Sequence, residues 1–464
     1  MPAKIKRLGP LSFYREALNI AIPVMLQQLI MSMVSLIDNF MVAGLGDTSM
    51  AAVNVGNQIL FIFFVLTNAV CWAGGIYLAQ FRGASDSEGM KNAYRFKAIF
   101  SLLLAALFFI LFWVFPGKLL SLMTMGNASQ EEISNTGTAY LHLISFTLVS
   151  MAISNSIGSS FREIGQPRVP LIISAIATLI NTAGNWILIY GNLGAPRLEV
   201  KGAAIATIAA RTFEVAVFII YANRKKIDFY SPVRKLFAIK WAMVKKILSK
   251  SIMMMISESS WAASETVMAA LYNGRGGAET VAGMAAGWTI ANLFFILFGG
   301  IWTTTSVLVG GSLGAGKLDE ARQRAAWIKT GAVIAGAVIA VIGALLSSLL
   351  VPVVFTNLTA EAQKISLGLV LVIIALLPLW SALNTQFAVC RAGGDTLMGI
   401  YADALINLGI LIPGAFLLAR LTSVGPVAMV AILKSLDIVK YFVAEYFYKT
   451  ERWVRNLAIE NRGA

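Results

Sequence analysis

Long apolar runs broken by short polar segments make up almost the whole chain. Twelve of these runs are long enough to cross a bilayer, which takes about 20 residues in a helix. They fall near 17–43, 51–79, 96–116, 138–159, 170–191, 202–222, 250–272, 281–311, 328–352, 366–389, 398–418 and 424–447. The pattern predicts an all-α membrane protein of 12 transmembrane helices. Only one polar stretch is longer than a connecting loop, the basic segment 223–249. It divides the chain into an N-terminal six-helix lobe (1–222), a cytoplasmic linker (223–249) and a C-terminal six-helix lobe (250–464).

The two halves repeat one another. At one constant offset, Gly46, Ala51, Gly56, Ile59, Phe63, Phe64, Leu66, Gly83 and Ala84 recur as Gly277, Ala282, Gly287, Ile290, Phe294, Phe295, Leu297, Gly314 and Ala315. These are nine identities in 39 ungapped positions, where average residue usage gives roughly three or four. A later echo, after a short slip in register, sets Arg162–Gly165 against Arg391–Gly394. Six spans per half is an even number, so both halves begin on the same side of the membrane. Parallel repeats of this kind are a signature of secondary transporters, with the site between the halves.

Composition agrees. The chain is 58% hydrophobic and 13% charged, against about 25% charge in soluble proteins. Of its 37 Lys and Arg, 28 fall in segments on the N-terminal side of the membrane or within two residues of them, and six fall on the other side. Basic residues favour the cytoplasm, so both termini are expected there. The net charge of +14 thus records topology, and no nucleic-acid partner is expected. The linker is basic enough to lie against anionic lipid or to serve as a solvated connection. No phosphate-binding GxxxxGK[ST] loop is present, and with one histidine, His142, and two cysteines the chain offers no metal spacing. His142 is expected to be a hydrogen-bonded interfacial residue. An intramembrane enzyme would need paired catalytic groups at mid-depth, and none are evident.

Ionisable residues inside a membrane are functional candidates by default, because burying a charge there is costly. Asp38 is the foremost. It lies deep in the first span with no basic residue near it in sequence, and its repeat mate is Ala269. A lone buried carboxylate must bind a cation or take up a proton, since desolvation disfavours its charged form. Asn181 and Asn185 lie four apart and share one helix face. Glu258 and Glu265 lie seven apart on the seventh span with Trp261 between them, and Glu258 is the repeat mate of Gln27. Acidic groups and an aromatic face would attract a lipophilic cation. Arg391 with Asp395 is expected to form a local ion pair, and Asp403 to be structural. Arg211 and Glu214, three apart, are expected to pair. Lys434, Asp437 and Lys440 are expected to snorkel to the interface. Pro23 interrupts the hydrogen-bond ladder of the first span and permits a bend.

Several ordered segments resemble the multidrug and toxic compound extrusion (MATE) family, prokaryotic type. They are SLIDNFMVAGLGDTSMAAVNVGNQI at 35–59, APRLEVKGAAIAT at 195–207, SESSWAASETVMAALYNGRGG at 257–277, NLFFILFGG at 292–300, SVLVGGSLGAGKLDEA at 306–321 and CRAGGDT at 390–396. The resemblance implies two six-helix bundles related by pseudo-two-fold symmetry, V-shaped around a central cavity. It implies a monomeric antiporter in the inner membrane of a prokaryote that exports amphipathic organic cations or drugs by alternating access. H⁺ or Na⁺ would be the coupling ion, with no cofactor. On the family pattern Asp38, Asn181, Asn185 and Thr207 form the coupling site, with Na⁺ as a candidate metal there. Gln27, Glu258, Trp261 and Glu265 belong to the cargo pathway, and bending at Pro23 accompanies the conformational change. Many relatives carry Asp where Asn185 stands, which leaves one carboxylate in place of two and the choice of ion open. The alternative within the broader superfamily is a flippase for lipid-linked precursors. That would call for basic residues in the cavity, and the first-half spans hold only Arg211.

Overall fold

The computed structural model describes residues 6–45, 47–124 and 130–460. Gly46, the first residue of the repeat, lies outside them. The described residues are helical nearly throughout, with short turns. The first half comprises α1 (Leu11–Ala43), α2 (Asp47–Gly83), α3 (Ser87–Val114), α4 (Pro116–Met123), α5 (Gln130–Ile144), α6 (Thr147–Glu163), α7 (Arg168–Tyr190) and α8 (Glu199–Arg224). The second comprises α9 (Trp241–Asn273), α10 (Ala278–Thr305), α11 (Gly311–Gly314), α12 (Leu318–Val354), α13 (Ala360–Ala392), α14 (Leu397–Gly399), α15 (Ile412–Leu421), α16 (Pro426–Ser435), α17 (Asp437–Lys449) and α18 (Leu457–Glu460).

Each predicted span coincides with one helix or one helical run. Among the described residues nine helices are long and apolar enough to cross a membrane, ten if α5 and α6, bent by 51° at their junction, count as one. The two further spans are more polar or broken: α9 carries Glu258 and Glu265, and α16 and α17 meet at a break at Leu436. A π-helical turn, Ser306–Gly310, links α10 to α11, and two more, Ile400–Ala404 and Asn407–Leu411, lie between α14 and α15. Wide turns of this kind often mark functional positions.

The chain packs as two compact units. One holds residues 26–78 and 86–251; the other holds 1–25, 79–85 and 252–464. They are called the N-terminal and C-terminal units below. The first boundary cuts α1 shortly after Pro23. The N-terminal unit has an aromatic and aliphatic core built on Phe63, Phe108, Phe112, Leu141 and Leu148. The C-terminal core centres on α13, which is buried along most of its length and packs on α10, α12, α16 and α17. Outward faces are apolar as well: Leu103, Leu107 and Ile110 on α3, and Val338, Val341, Leu345 and Leu349 on α12, are all exposed. Stripes at three- and four-residue spacing with no protein partner are what a helix facing lipid requires.

Repeat-related glycines perform matching backbone tasks. Gly165 ends α6 and Gly394 follows α13, each with φ of +79°. The next residue in each case bonds back to the helix, Gln166 N to Phe161 O and Asp395 N to Cys390 O, both at 2.9 Å. Left-handed closure of this type favours glycine because a Cβ is penalised there. Gly83 and Gly314, also repeat mates, meet backbone directly in the C-terminal unit. A Cβ on Gly83 would collide with Gly311, and one on Gly314 with Gln80. Gln80 fastens the same crossing: it is fully buried, donates to Ala392 O at 2.8 Å and accepts from Leu457 N at 2.7 Å. Gly314→Val leaves no flexible side chain to yield. It is expected to destabilise by about 1–3 kcal/mol or more, read as a lowered thermal midpoint in detergent, whereas the same change at Gly425, which has open space around its Cα, should leave the midpoint near wild type.

Candidate functional site

Asp38 lies in the C-terminal third of α1, within the N-terminal unit, and α7 and α8 bring the predicted partners to it. Asn185 Nδ2 donates to Asp38 Oδ1 at 2.9 Å. With its amide oriented to satisfy its neighbours, Asn181 donates to Asp38 Oδ2 at 3.0 Å and accepts from the Thr207 hydroxyl and backbone N–H at 3.1 and 3.2 Å. The four-residue spacing of the asparagines places one amide on each carboxylate oxygen. Asp38, Asn181, Asn185 and Thr207, the set that the family resemblance implies, thus lie together in one hydrogen-bonded group. The Oδ1 of Asn185 is buried with no hydrogen-bond partner. An orphaned acceptor beside a carboxylate suits a site that takes up a positive species: a proton needs an acceptor, and a hard cation needs oxygen ligands. Carboxylate, amide and hydroxyl oxygens fit Na⁺ in kind.

These residues border a cavity of about 410 Å³ inside the N-terminal unit. Asn57, Phe64, Tyr140, Met151 and Arg211 also line it. Tyr140 donates to Asn57 Oδ1 at 3.0 Å, a polar contact on a wall that also holds aliphatic, aromatic and thioether side chains. Asp38 is the one carboxylate among the lining residues. Arg211 faces the same space but pairs with Glu214 at 2.8 Å. Counting all three groups, the site carries one negative charge when Asp38 is ionised. Among the described residues no three His, Cys, Asp or Glu side chains come together as a metal site.

Glu214 continues a buried polar chain. Ser174 Oγ donates to Glu214 Oε1 at 2.7 Å, Gln27 Nε2 donates to Ser174 Oγ at 3.1 Å, and Arg162 donates to Gln27 Oε1 at 3.5 Å. Gln27 is therefore held inside the N-terminal unit, away from the cavity lining. The other three residues expected in the pathway lie in the C-terminal unit and are not part of the Asp38 constellation. Glu258 accepts from Arg391 at 2.8 Å, and Arg391 lies over the Trp302 ring, 4.6 Å from its centroid. Glu265 pairs with Lys434, and Trp261 is partly exposed.

Three readings of the sequence need correction. Arg391 reaches Glu258 on another helix, because that carboxylate is largely buried and needs a partner. Lys434, Asp437 and Lys440 do not snorkel: all three are buried and engaged inside the unit. Asp403, expected to be structural, lies within 3.4 Å of Lys440. His142 stacks on Trp113 at 4.6 Å, and its Nε2 has no hydrogen-bond partner. The sequence reading also missed the Lys97–Glu163 ion pair, buried between α3 and α6, where Ser159 and Ser160 also accept from the ammonium. Its signal was the Gly74-Gly75 pair in α2. A Cβ on Gly74 would strike the Lys97 side chain, and one on Gly75 the Glu163 carboxylate.

Comparison with known proteins gives a consistent result. Residues 23–187 and 251–417 match the MatE family, one match in each half. The chain is 25% identical over 88% of both chains to a probable multidrug resistance protein NorM of Halalkalibacterium halodurans. It is 28% identical to a probable NorM of Aromatoleum aromaticum, covering 86% of this chain and 84% of that one. A solved structure described as the outward-facing conformation of a multidrug resistance MATE family transporter superposes with a TM-score of 0.81 at 18% identity, covering 97% of each chain. At that identity the likeness establishes the fold.

Asn185→Ala removes one of the two amide donors to Asp38. It is expected to cost about 1.5–3 kcal/mol, the range for a hydrogen bond to a charged group. The loss should shrink in an Asp38→Asn background, measured as a double-mutant cycle of thermal midpoints. Equal losses in both backgrounds would mean that the amide does not act on the carboxylate.

Proposed function

The chain belongs to the MatE family of membrane transporters, and from that premise we propose that it is a cation-coupled antiporter exporting amphipathic organic cations or drugs. The observation that carries this reading is Asp38: a single carboxylate on a cavity wall, bound by two amides and, among the described residues, in contact with no basic group. Ionised, it is a fixed negative charge in a low-dielectric site. Binding H⁺ or Na⁺ neutralises it and changes the relative free energy of the outward- and inward-facing states, which is all that coupling requires. A proton would bind on Asp38 and be accepted by Asn185 once its amide turns its oxygen inward. Na⁺ would recruit the same oxygens together with Asn181 and Thr207.

In this reading the export runs across the cytoplasmic membrane of a prokaryote, with both termini inside and the monomer as the working unit. Bending of α1 at Pro23 would link the coupling site to the change of state, since the residues on either side of that region belong to different compact units. Gln27, Glu258 and Glu265 would act through the groups that hold them, and Trp261 would offer an aromatic face to a passing cation. A flippase for anionic lipid-linked precursors is favoured less, because Arg211, the basic residue on the cavity wall, is neutralised by Glu214.

The test is transport in liposomes of an ethidium-type cation under an imposed pH gradient and, separately, a Na⁺ gradient. Wild type should respond to one gradient, and Asp38→Asn should fall to background while eluting as a folded monodisperse protein. Uptake by Asp38→Asn equal to wild type would refute the coupling assignment. No response of the wild type to either gradient would move the reading to the flippase. Pro23→Ala is expected to slow the same transport, and full activity in that variant would remove helix bending from the mechanism.

A further inference from the structure

The basic segment between the two halves is held down by buried anchors. Phe229 is fully buried, with its ring centroid 5.1 Å from that of Phe161 on α6 and 5.5 Å from that of Tyr94 on α3. Leu236 is buried as well. Arg95 of α3 reaches into the segment twice: its Nε donates to Ser231 Oγ at 3.1 Å and its Nη1 to Ala238 O at 2.8 Å. The backbone N–H of Lys240 donates to Asn92 Oδ1 at 3.4 Å. Where α9 begins, Met243, Val244 and Ile247 are buried in turn. All of these residues belong to the N-terminal unit. The segment is thus a formed surface rather than a loose tether.

What the segment leaves outside is a mixture of charge and apolar surface. Val233, Phe237 and Trp241, at four-residue intervals, are 65%, 82% and 67% exposed. Arg234, Lys235, Lys240 and Lys245 are exposed among them. No Asp or Glu occurs from Phe229 through Ser257. Among the described residues, no ion pair of the N-terminal unit uses any of these four basic side chains. Like charges gathered in this way repel one another and gain by meeting opposite charge. Exposed rings lose by staying in water. A solvated connection accounts for the charges and leaves Phe237 and Trp241 unexplained. The segment runs from the end of α8 to the start of α9, both of them spans, so it lies at the level of the lipid headgroups. Tryptophan beside lysine and arginine is the composition favoured at that level.

We propose that residues 233–245 form a docking surface for anionic phospholipid. Arg234, Lys235, Lys240 and Lys245 meet the headgroup phosphates, and the Phe237 and Trp241 rings seat at the boundary between headgroups and acyl chains. The occupant follows from charge complementarity and from position: the bilayer already surrounds α8 and α9, an anionic leaflet supplies the missing negative charge, and its chains accept the rings. A nucleic acid would satisfy the charges and leave Val233 and Phe237 in water. Arg95 and Asn92 already fix the backbone, so binding has little chain left to order. Bound lipid then ties the end of α8 and the start of α9 to the leaflet. The inference is independent of the role of Asp38. It rests on the proposed cytoplasmic placement of the termini only for which leaflet supplies the lipid.

The test uses the full chain in detergent micelles, where neither transport nor sidedness enters. Phosphatidylglycerol titrated into the wild type should raise its thermal midpoint by mass action, and phosphatidylcholine should raise it much less. A variant combining Arg234→Gln, Lys235→Gln, Lys240→Gln and Lys245→Gln should start from the wild-type midpoint, since all four side chains are exposed. Its half-saturating phosphatidylglycerol concentration should rise roughly ten-fold or more, each basic residue near an anionic surface contributing up to roughly five-fold. An unchanged half-saturation would overturn the proposal. So would a wild-type rise that phosphatidylcholine matches, or one that inorganic phosphate matches, which would mark a small-anion site. A wild-type dimer that the combined variant converts to monomer, with no lipid effect, would make the surface a contact between two copies and equally overturn it. A second measurement keeps the four basic residues intact. A fluorophore on Phe237→Cys, the native cysteines being buried, should be quenched more by acyl-brominated phosphatidylglycerol than by the phosphatidylcholine equivalent at the same mole fraction. Equal quenching would overturn the proposal even if the combined variant failed to fold. Either outcome for transport by Asp38→Asn leaves these results standing.

Discussion

Charge inside an apolar interior is the constraint on which this structure turns. An ion buried without a partner costs several kcal/mol, and breaking a buried pair costs about 3–5 kcal/mol because the survivor is stranded. The chain answers with ion pairs, most of them between helices: Lys97 with Glu163, Arg211 with Glu214, Arg391 with Glu258, Lys434 with Glu265 and Lys329 with Glu445. Backbone space is cut to suit, as where Gly74 and Gly75 make room for the first of these pairs. Against that background Asp38 stands apart from these pairs. It is met by amides and no cation, and it borders a cavity that an incoming ion can occupy. The same requirement that pairs the other charges is what singles this one out for the proposed coupling role.

The two units show how a duplicated scaffold diverges. What the repeat retains is backbone geometry: the left-handed closures at Gly165 and Gly394, and the close approaches at Gly83 and Gly314. These are places where any side chain is penalised, so they tolerate little change. What has diverged is the polar lining. Asp38 faces its cavity in one unit, and its counterpart in the other is Ala269. In the C-terminal unit the acidic residues have gathered instead on α9, on the π-helical stretch before α15 and on α17. Positions that only have to be polar and partnered can change sign, provided that the neighbours change with them.

The reading of the chain along its length was sound wherever the physics is local. Apolar runs and their polar breaks located the helices, since span length is a matter of bilayer thickness. The repeat was legible because its glycines answer to backbone sterics. Asp38 stood out because a carboxylate deep in an apolar run has no local explanation, and the four-residue spacing of Asn181 and Asn185 already put both amides on one face. Tertiary structure alone decided the partners. Glu258 and Arg391 are 133 residues apart, and Lys97 and Glu163 are 66 apart. Nothing in either neighbourhood announces the other. Lys434 and Lys440 read as snorkelling residues, since a lysine near a helix end has that option in water and lipid. Packing of α16 and α17 on α13 closed the option and turned them inward, where only carboxylates could satisfy them.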